Sequence, residues 1–167
     1  WLTLPVAVAM AALAGVIIGT PTLRLRSDYL AIVTLGFGEI VRLAARNLQI
    51  TGAATGISGI EKPWLFGWHI RQPIDFYFVF LVLAIIGIIV SARLAKSRLG
   101  RAWLYVRHDE DVAEAMGINR VRVKLAAYVI GAIFGAIGGA FFAINLGAIS
   151  PESFSFEQSV LILMAVI

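Results

Sequence analysis

Apolar side chains run along this chain in long unbroken stretches, without the polar stripe of a surface helix or the alternation of a half-buried strand. That pattern predicts helices with apolar surroundings on every side. Crossing roughly 30 Å of hydrocarbon takes a helix of about 20 apolar residues whose backbone groups are satisfied internally. Leu2 to Gly19 is such a segment, with no charge before Arg24 and with Pro5 near its start, where a missing backbone donor does little harm. Phe76 to Ala92 runs 17 residues without a charge, and Phe76, Tyr77 and Phe78 form an aromatic belt at one mouth. Leu125 to Ile149 is charge-free throughout, and a further apolar run opens at Ser159 and continues to Ile167.

Tyr29 to Gln49 differs: it opens as an apolar run through Gly38 and then brings in Glu39, Arg42 and Arg46. An arginine near the centre of a membrane helix costs about 2.5–3.5 kcal/mol on an insertion scale, while a leucine or isoleucine returns only about 0.3–0.6. Spacings of three and four put the three charges on one helical face, where they can pair. Two readings stay open. Either the helix leaves the bilayer near Glu39 with solvated charges, or it carries a polar stripe beside a solute pathway.

Composition sets the medium. The chain is 60% hydrophobic and 14% charged, with a mean hydropathy of +0.89 and no cysteine. A soluble domain would be about a quarter charged. A disordered tail, a disulfide-stapled module and an ordinary cytosolic enzyme are therefore poor fits. The net charge of +4 has a membrane explanation, because cytoplasmic loops retain lysine and arginine. Residues 93–124 hold eight of them, and residues 49–72 hold only Lys62 and Arg71. The former stretch is expected inside, together with Arg24 and Arg26, and Gln49 to Pro73 and Ser150 to Gln158 outside. The basic residues are not interleaved with aromatic stacking platforms, so nucleic acid is not an expected partner. The expected fold is an all-α polytopic transmembrane helix bundle of about four spans plus the start of a fifth, a single membrane domain over residues 1–167 with a cytoplasmic loop at 93–124. A start at Trp1 and a stop inside an apolar run predict a fragment truncated at both ends.

Reactive groups are few. His69 and His108 fall on opposite sides of the membrane, so no zinc or triad geometry is expected. Gly36-Phe37-Gly38 lies inside an apolar segment with no strand before it, and no Gly-x4-Gly-Lys-Ser/Thr string occurs. No catalytic residue, metal or cofactor is expected on this chain. Thr51 to Ile60 carries three glycines and three hydroxyls. Such a loop either grips a small polar solute through free amides, making Thr51, Thr55 and Gly56 with Glu39 and Arg42 a candidate translocation path, or simply turns the chain. Gly131, Gly135 and Gly139 recur every fourth residue and predict a helix-packing face, with room for a solute as the rival use.

Within the basic stretch, Asp109 suits an N-cap, Glu110 and Asp111 suit the first turn of a helix, and Gly117 suits its left-handed end. A two-turn helix follows, with Val112, Ala113 and Met116 expected on one face. So short a helix is marginal alone, and that face needs cover, either a docking partner or the chain's own membrane ends.

Asp111-Val-Ala-Glu-Ala-Met-Gly117 resembles the Glu-Ala-Ala-x3-Gly cytoplasmic loop of ABC importer permeases, with Asp for Glu, Val112 for the first Ala and no Ile-x-Leu-Pro tail. Ser27 to Ile40, Thr51 to Ile60, Ser97 to Trp103, Ala113 to Asn119 and Ile149 to Phe154 follow in the order seen in the LivM-type permeases of branched-chain amino-acid ABC transporters. The chain resembles that family over nearly its whole length. The resemblance implies an all-helical permease, not an enzyme, of a bacterial or archaeal plasma membrane, translocating leucine, isoleucine and valine. It implies a second permease subunit, two ABC ATPase subunits that hold the ATP and Mg, a periplasmic or lipid-anchored solute-binding protein, and surrounding membrane lipid. It also implies that Asp109, Glu110, Asp111, Val112, Ala113, Glu114, Ala115, Met116 and Gly117 form the coupling helix to the ATPase. A closely similar permease serves urea uptake. A transporter driven by an ion gradient, relayed through Glu39 and Arg42, is the rival from another class.

Overall fold

The computed structural model describes residues 3–22, 27–60, 62, 64–65, 68–69 and 73–166. Arg24, Arg26 and Arg71 lie outside the described residues. The helices are α1 (Thr3–Thr22), α2 (Ser27–Asn47), α3 (Pro73–Lys96), α4 (Arg98–His108), α5 (Glu110–Ala115), α6 (Arg120–Leu146) and α7 (Phe156–Val166). Among the described residues four two-residue strands accompany them: β1 (Ile57–Ser58), β2 (Trp64–Leu65), β3 (Trp68–His69) and β4 (Ala148–Ile149). The chain is a multi-pass, helical membrane protein. Among the described residues α1, α3 and α6 are long and apolar enough to cross a membrane. The helix α2 has the length, 21 residues, or about 31 Å at 1.5 Å per residue. Its charges keep it from qualifying on apolarity alone, so composition supports three of the four expected spans. Most of the large apolar side chains on these helices are exposed, among them Ile17 at 70% and Ile88 at 69%. Lipid is as apolar as leucine, so nothing drives such residues into a common core.

The chain divides into two units, residues 1–23 with 63–138, and residues 24–62 with 139–167. In the first, α1 packs antiparallel against α6. A Cβ added at Gly15 would come within 3.1 Å of Ala132 Cβ, and one at Gly19 within 3.0 Å of Leu125 Cδ1. Beside this contact Thr22 is buried, its hydroxyl bonded to the carbonyls of Gly19 at 2.8 Å and Ile18 at 3.1 Å. The closely packed small-residue face is therefore Gly15-x3-Gly19. At the face expected around Gly131, Gly135 and Gly139, a Cβ at any of the three would meet nothing within 4 Å among the described residues. The helix α6 turns Leu125, Tyr128, Val129 and Ala132 toward α1 instead, leaving its glycines open.

The helix α3 extends past the apolar run to Lys96, and the expected loop beyond it is largely helical. Ser97 caps α4, accepting from Gly100 N–H at 3.2 Å while its own hydroxyl donates to the Leu94 carbonyl at 2.6 Å. At Gly100 the corner is so tight that a Cβ would fall on the carbonyls of Leu94 and Ala95. This unit also holds the antiparallel β2–β3 pair, with Trp64 opposite His69.

In the second unit β1 pairs antiparallel with β4, Ile57 opposite Ile149, and Ile60 N–H extends the pairing to the Gly147 carbonyl at 3.0 Å. The α2 C-terminus runs into two short turns of 3-10 helix, Gln49–Thr51 and Ala53–Thr55, before β1. Phe142 of α6 and Phe154 meet edge-on at 6.4 Å.

Candidate functional site

The first candidate site is the corner formed by α4, α5 and α6. Asp109 sits in an extended conformation and its Oδ1 accepts from Asp111 N–H at 2.9 Å and Val112 N–H at 3.1 Å, starting α5 as the residue types predict. Gly117 at φ +81° ends it, with Ile118 N–H reaching back to the Ala113 carbonyl at 3.0 Å. That six-residue return bond is a glycine-dependent helix stop. Ala113 is 1% exposed and packs with Val106 of α4 and Val123 of α6, flanked by Ala102, Trp103 and Ile118. The Trp103 indole donates to the Val123 carbonyl at 2.8 Å. Among the described residues this is the hydrophobic core cluster, and it lies within the basic segment 93–124, with Val123 drawn from the start of α6.

Ion pairs fix α5 to the start of α6. Lys124 Nζ meets Glu110 Oε1 at 2.6 Å, Arg120 Nε meets Glu114 Oε2 at 3.2 Å, and Arg120 Nη1 lies 3.7 Å from Asp111 Oδ1. Each is partly exposed and contributes at most about 1 kcal/mol. Together with the buried alanine they hold α5 against α4 and α6.

The expectation that Val112, Ala113 and Met116 share one face is corrected here. Val112 and Met116, four apart, form an outward strip and are 56% and 68% exposed. Ala113, about 100° round the helix from Val112, points into the chain's own cluster. The cover for α5 comes from α4 and α6 on one side, and the strip of Val112 and Met116 is left free.

The second candidate site lies in the other unit. Arg42 grips Glu39 through two nitrogens, with Nε to Oε2 at 3.0 Å, and its Nη1 also reaches Glu152 Oε2 at 3.4 Å. Arg46 Nη1 lies 3.6 Å from Glu152 Oε1. Glu39 and Arg42 pair on one face of α2, and Glu152, far along the chain, meets both Arg42 and Arg46. Beside them is a crevice of about 260 Å3 lined by Thr34, Leu35, Gly38, Glu39, Phe154, Phe156 and Ser159.

The loop residues of the candidate path make contacts within their own turn. The Thr51 hydroxyl lies on the carbonyls of Ala45 and Leu48 at the end of α2, and the Thr55 hydroxyl donates to the Gly52 carbonyl at 2.7 Å. Gly56, at φ +71°, lets the backbone pass so close to Ile149 and Ser150 that any Cβ would strike them. These three build the turn and its junction with β4. Among the described residues no three His, Asp or Glu side chains converge as metal ligands would.

The family model described as "Branched-chain amino acid transport system / permease component" matches residues 1–167. The chain is 43% identical over 191 aligned positions to the "High-affinity branched-chain amino acid transport system permease protein LivM" of Escherichia coli (strain K12), a match that covers 100% of this chain and 45% of the relative. The protein of the same name from Salmonella typhimurium is 42% identical with the same coverage. The "Probable branched-chain amino acid transport permease protein LivM" of Methanocaldococcus jannaschii is 26% identical, covering 89% of this chain and 44% of the relative. The chain thus spans a little under half the length of these relatives. No solved structure matches it.

Proposed function

We propose, from the premise that this chain belongs to the family of branched-chain amino acid transport system permease components, that it forms part of the membrane pathway of an ATP-driven importer for leucine, isoleucine and valine in a bacterial or archaeal plasma membrane. ATP is hydrolysed on separate ATPase subunits, a second permease subunit completes the channel, and a binding protein delivers the solute. The observation that carries the reading is the construction of α5. It is a short helix locked by Ala113 and three ion pairs to α4 and α6, yet it offers Val112 and Met116 to a partner.

That construction suits a lever. A push on α5 passes through Ala113 to Val106 and Val123, and through Glu110 and Glu114 to the first turns of α6. The Gly100 corner joins α4 to α3, so the same push reaches a second spanning helix. Coupling then consists of moving packed helices between two arrangements, with no charge transfer required.

Pairing of β1 with β4 supports α2 as a further span. The basic segment 93–124 sits inside, so α6 and the strand β4 that follows it end outside. The strand β1 after α2 therefore lies outside too, and the basic pair that precedes α2 in the sequence favours an inside start for that helix. The Glu39–Arg42–Arg46 stripe then occupies the outer part of α2, where Glu152 offsets the cost of the arginines. In the crevice beside it, Glu39 supplies a carboxylate for a substrate ammonium and Phe154, Phe156 and Leu35 an apolar wall for a branched side chain.

The test is uptake into proteoliposomes holding the full transporter. ATP enclosed with the ATPase subunits should drive accumulation of leucine, isoleucine and valine. Uptake that persists without ATP and collapses with the proton gradient would overturn the reading, as would accumulation of urea in place of the amino acids.

A further inference from the structure

We propose that the groove between α3, α4 and α6 holds an anionic phospholipid of the cytoplasmic leaflet, its phosphate on Arg101 and Arg107 and an acyl chain along Ile130 and Phe134. The proposal rests on the cytoplasmic placement of residues 93–124 given above. The groove is open on one side and offers about 590 Å3, a volume within the roughly 300–1,000 Å3 of ordinary small-molecule sites. Its inner walls are apolar and belong to two membrane-crossing helices, with Leu94 on α3 and Ile130, Gly131 and Phe134 on α6. Among the described residues nothing comes within 4 Å of a Cβ placed at Gly131. Arg101, Arg107 and Trp103 of α4 also line the groove.

Charge selects the occupant. Residues 93–108 contain Arg93, Lys96, Arg98, Arg101 and Arg107 and no acid. None of these five makes an ion pair to a described residue, whereas Glu110, Asp111 and Glu114 on α5 are all engaged by Arg120 and Lys124. The cations of α4 therefore have no counter-charge within the described chain. Arg101 Nη1 donates to the Lys96 carbonyl at 2.9 Å, which anchors the guanidinium and leaves its other donors for a phosphate. A soluble anion would satisfy the arginines and leave the apolar walls wet. An apolar helix from another subunit would cover the walls and strand two charges. A phospholipid satisfies both, and basic pockets at the cytoplasmic ends of membrane helices suit anionic head groups.

Trp103 lines the groove and reports on it. The experiment uses the full transporter with every other tryptophan of its membrane subunits replaced by phenylalanine, in phosphatidylcholine vesicles titrated with acyl-brominated phosphatidylglycerol or acyl-brominated phosphatidylcholine. Trp103 should be quenched at a lower mole fraction of the brominated phosphatidylglycerol. R101Q/R107Q should remove that preference, weakening the apparent affinity by about fivefold for each arginine, with the phosphatidylcholine response unchanged. Equal quenching by the two lipids in the parent protein overturns the proposal. So does a preference that survives R101Q/R107Q, or the absence of quenching that a protein-covered groove would give. Placing the brominated lipid in one leaflet at a time separates this from the topology. A preference found only from the extracellular leaflet sinks the placement of residues 93–124, whereas no preference from either leaflet sinks the lipid site alone.

Discussion

Replacing Val112 and Met116 together by alanine removes the outward apolar strip of α5 and leaves its inward packing untouched. Both side chains are largely exposed, 56% and 68%, so the change should alter the stability of the permease by no more than about 0.5 kcal/mol. A docked ATPase would bury that remaining surface. Complete burial of a valine or methionine side chain contributes about 1.5–3 kcal/mol, and scaling by the two exposures gives roughly 2–4 kcal/mol for the pair. The association constant for the ATPase subunits should therefore fall by at least about tenfold. The assay is surface-immobilised binding of the ATPase subunits to the full-length permease in lipid nanodiscs, with thermal unfolding of the permease in parallel. Weakened binding at unchanged unfolding temperature is the expected result. Unchanged binding would refute the reasoning, because it would mean that nothing covers the strip. Ala113→Leu is the contrasting variant. At 1% exposure the site has no room, so overpacking should cost about 1–3 kcal/mol of stability and displace α5 as a whole.

Gly100→Ala should destabilise the full-length permease at the upper end of the same range, about 2–3 kcal/mol, because the added methyl meets backbone carbonyls that cannot rotate away; an unfolding temperature equal to that of the parent would show the α3–α4 corner to be looser than described. Glu110→Gln and Lys124→Met, taken singly and together, should show a coupling of about 0.5–1 kcal/mol, discounted for side chains that are 44% and 24% exposed, and reduced by high salt. A coupling of zero at low salt would remove this pair from the bracing of α5.

The parts of this fold legible in the sequence are those set by local chemistry. Charge-free runs locate α1, α3 and α6, and the choice of Asp109 and Gly117 locates the ends of α5 within a residue. The helix α4 escaped because its arginines read as a solvated loop. Ser97 ahead of it, and Ala102, Trp103 and Val106 at helical spacing, were the available signal. The Gly15-x3-Gly19 packing face also had a signal, a glycine pair four apart in an apolar run, overshadowed by the longer series on α6. The inward turn of Ala113 depends on where α4 and α6 place Val106 and Val123, which periodicity in α5 alone does not fix. Glu152 meets Arg42 across 110 positions of chain, and β1 and β4 are two residues each, too short for alternation to show.

A single cysteine at position 116 of the full-length permease, otherwise free of cysteine, tests the central claim most directly. A membrane-impermeant maleimide should label it in inside-out vesicles only, and bound ATPase subunits should protect it. Labelling in right-side-out vesicles, or labelling that the ATPase subunits leave unchanged, would contradict the assignment of α5 as the element the motor grips.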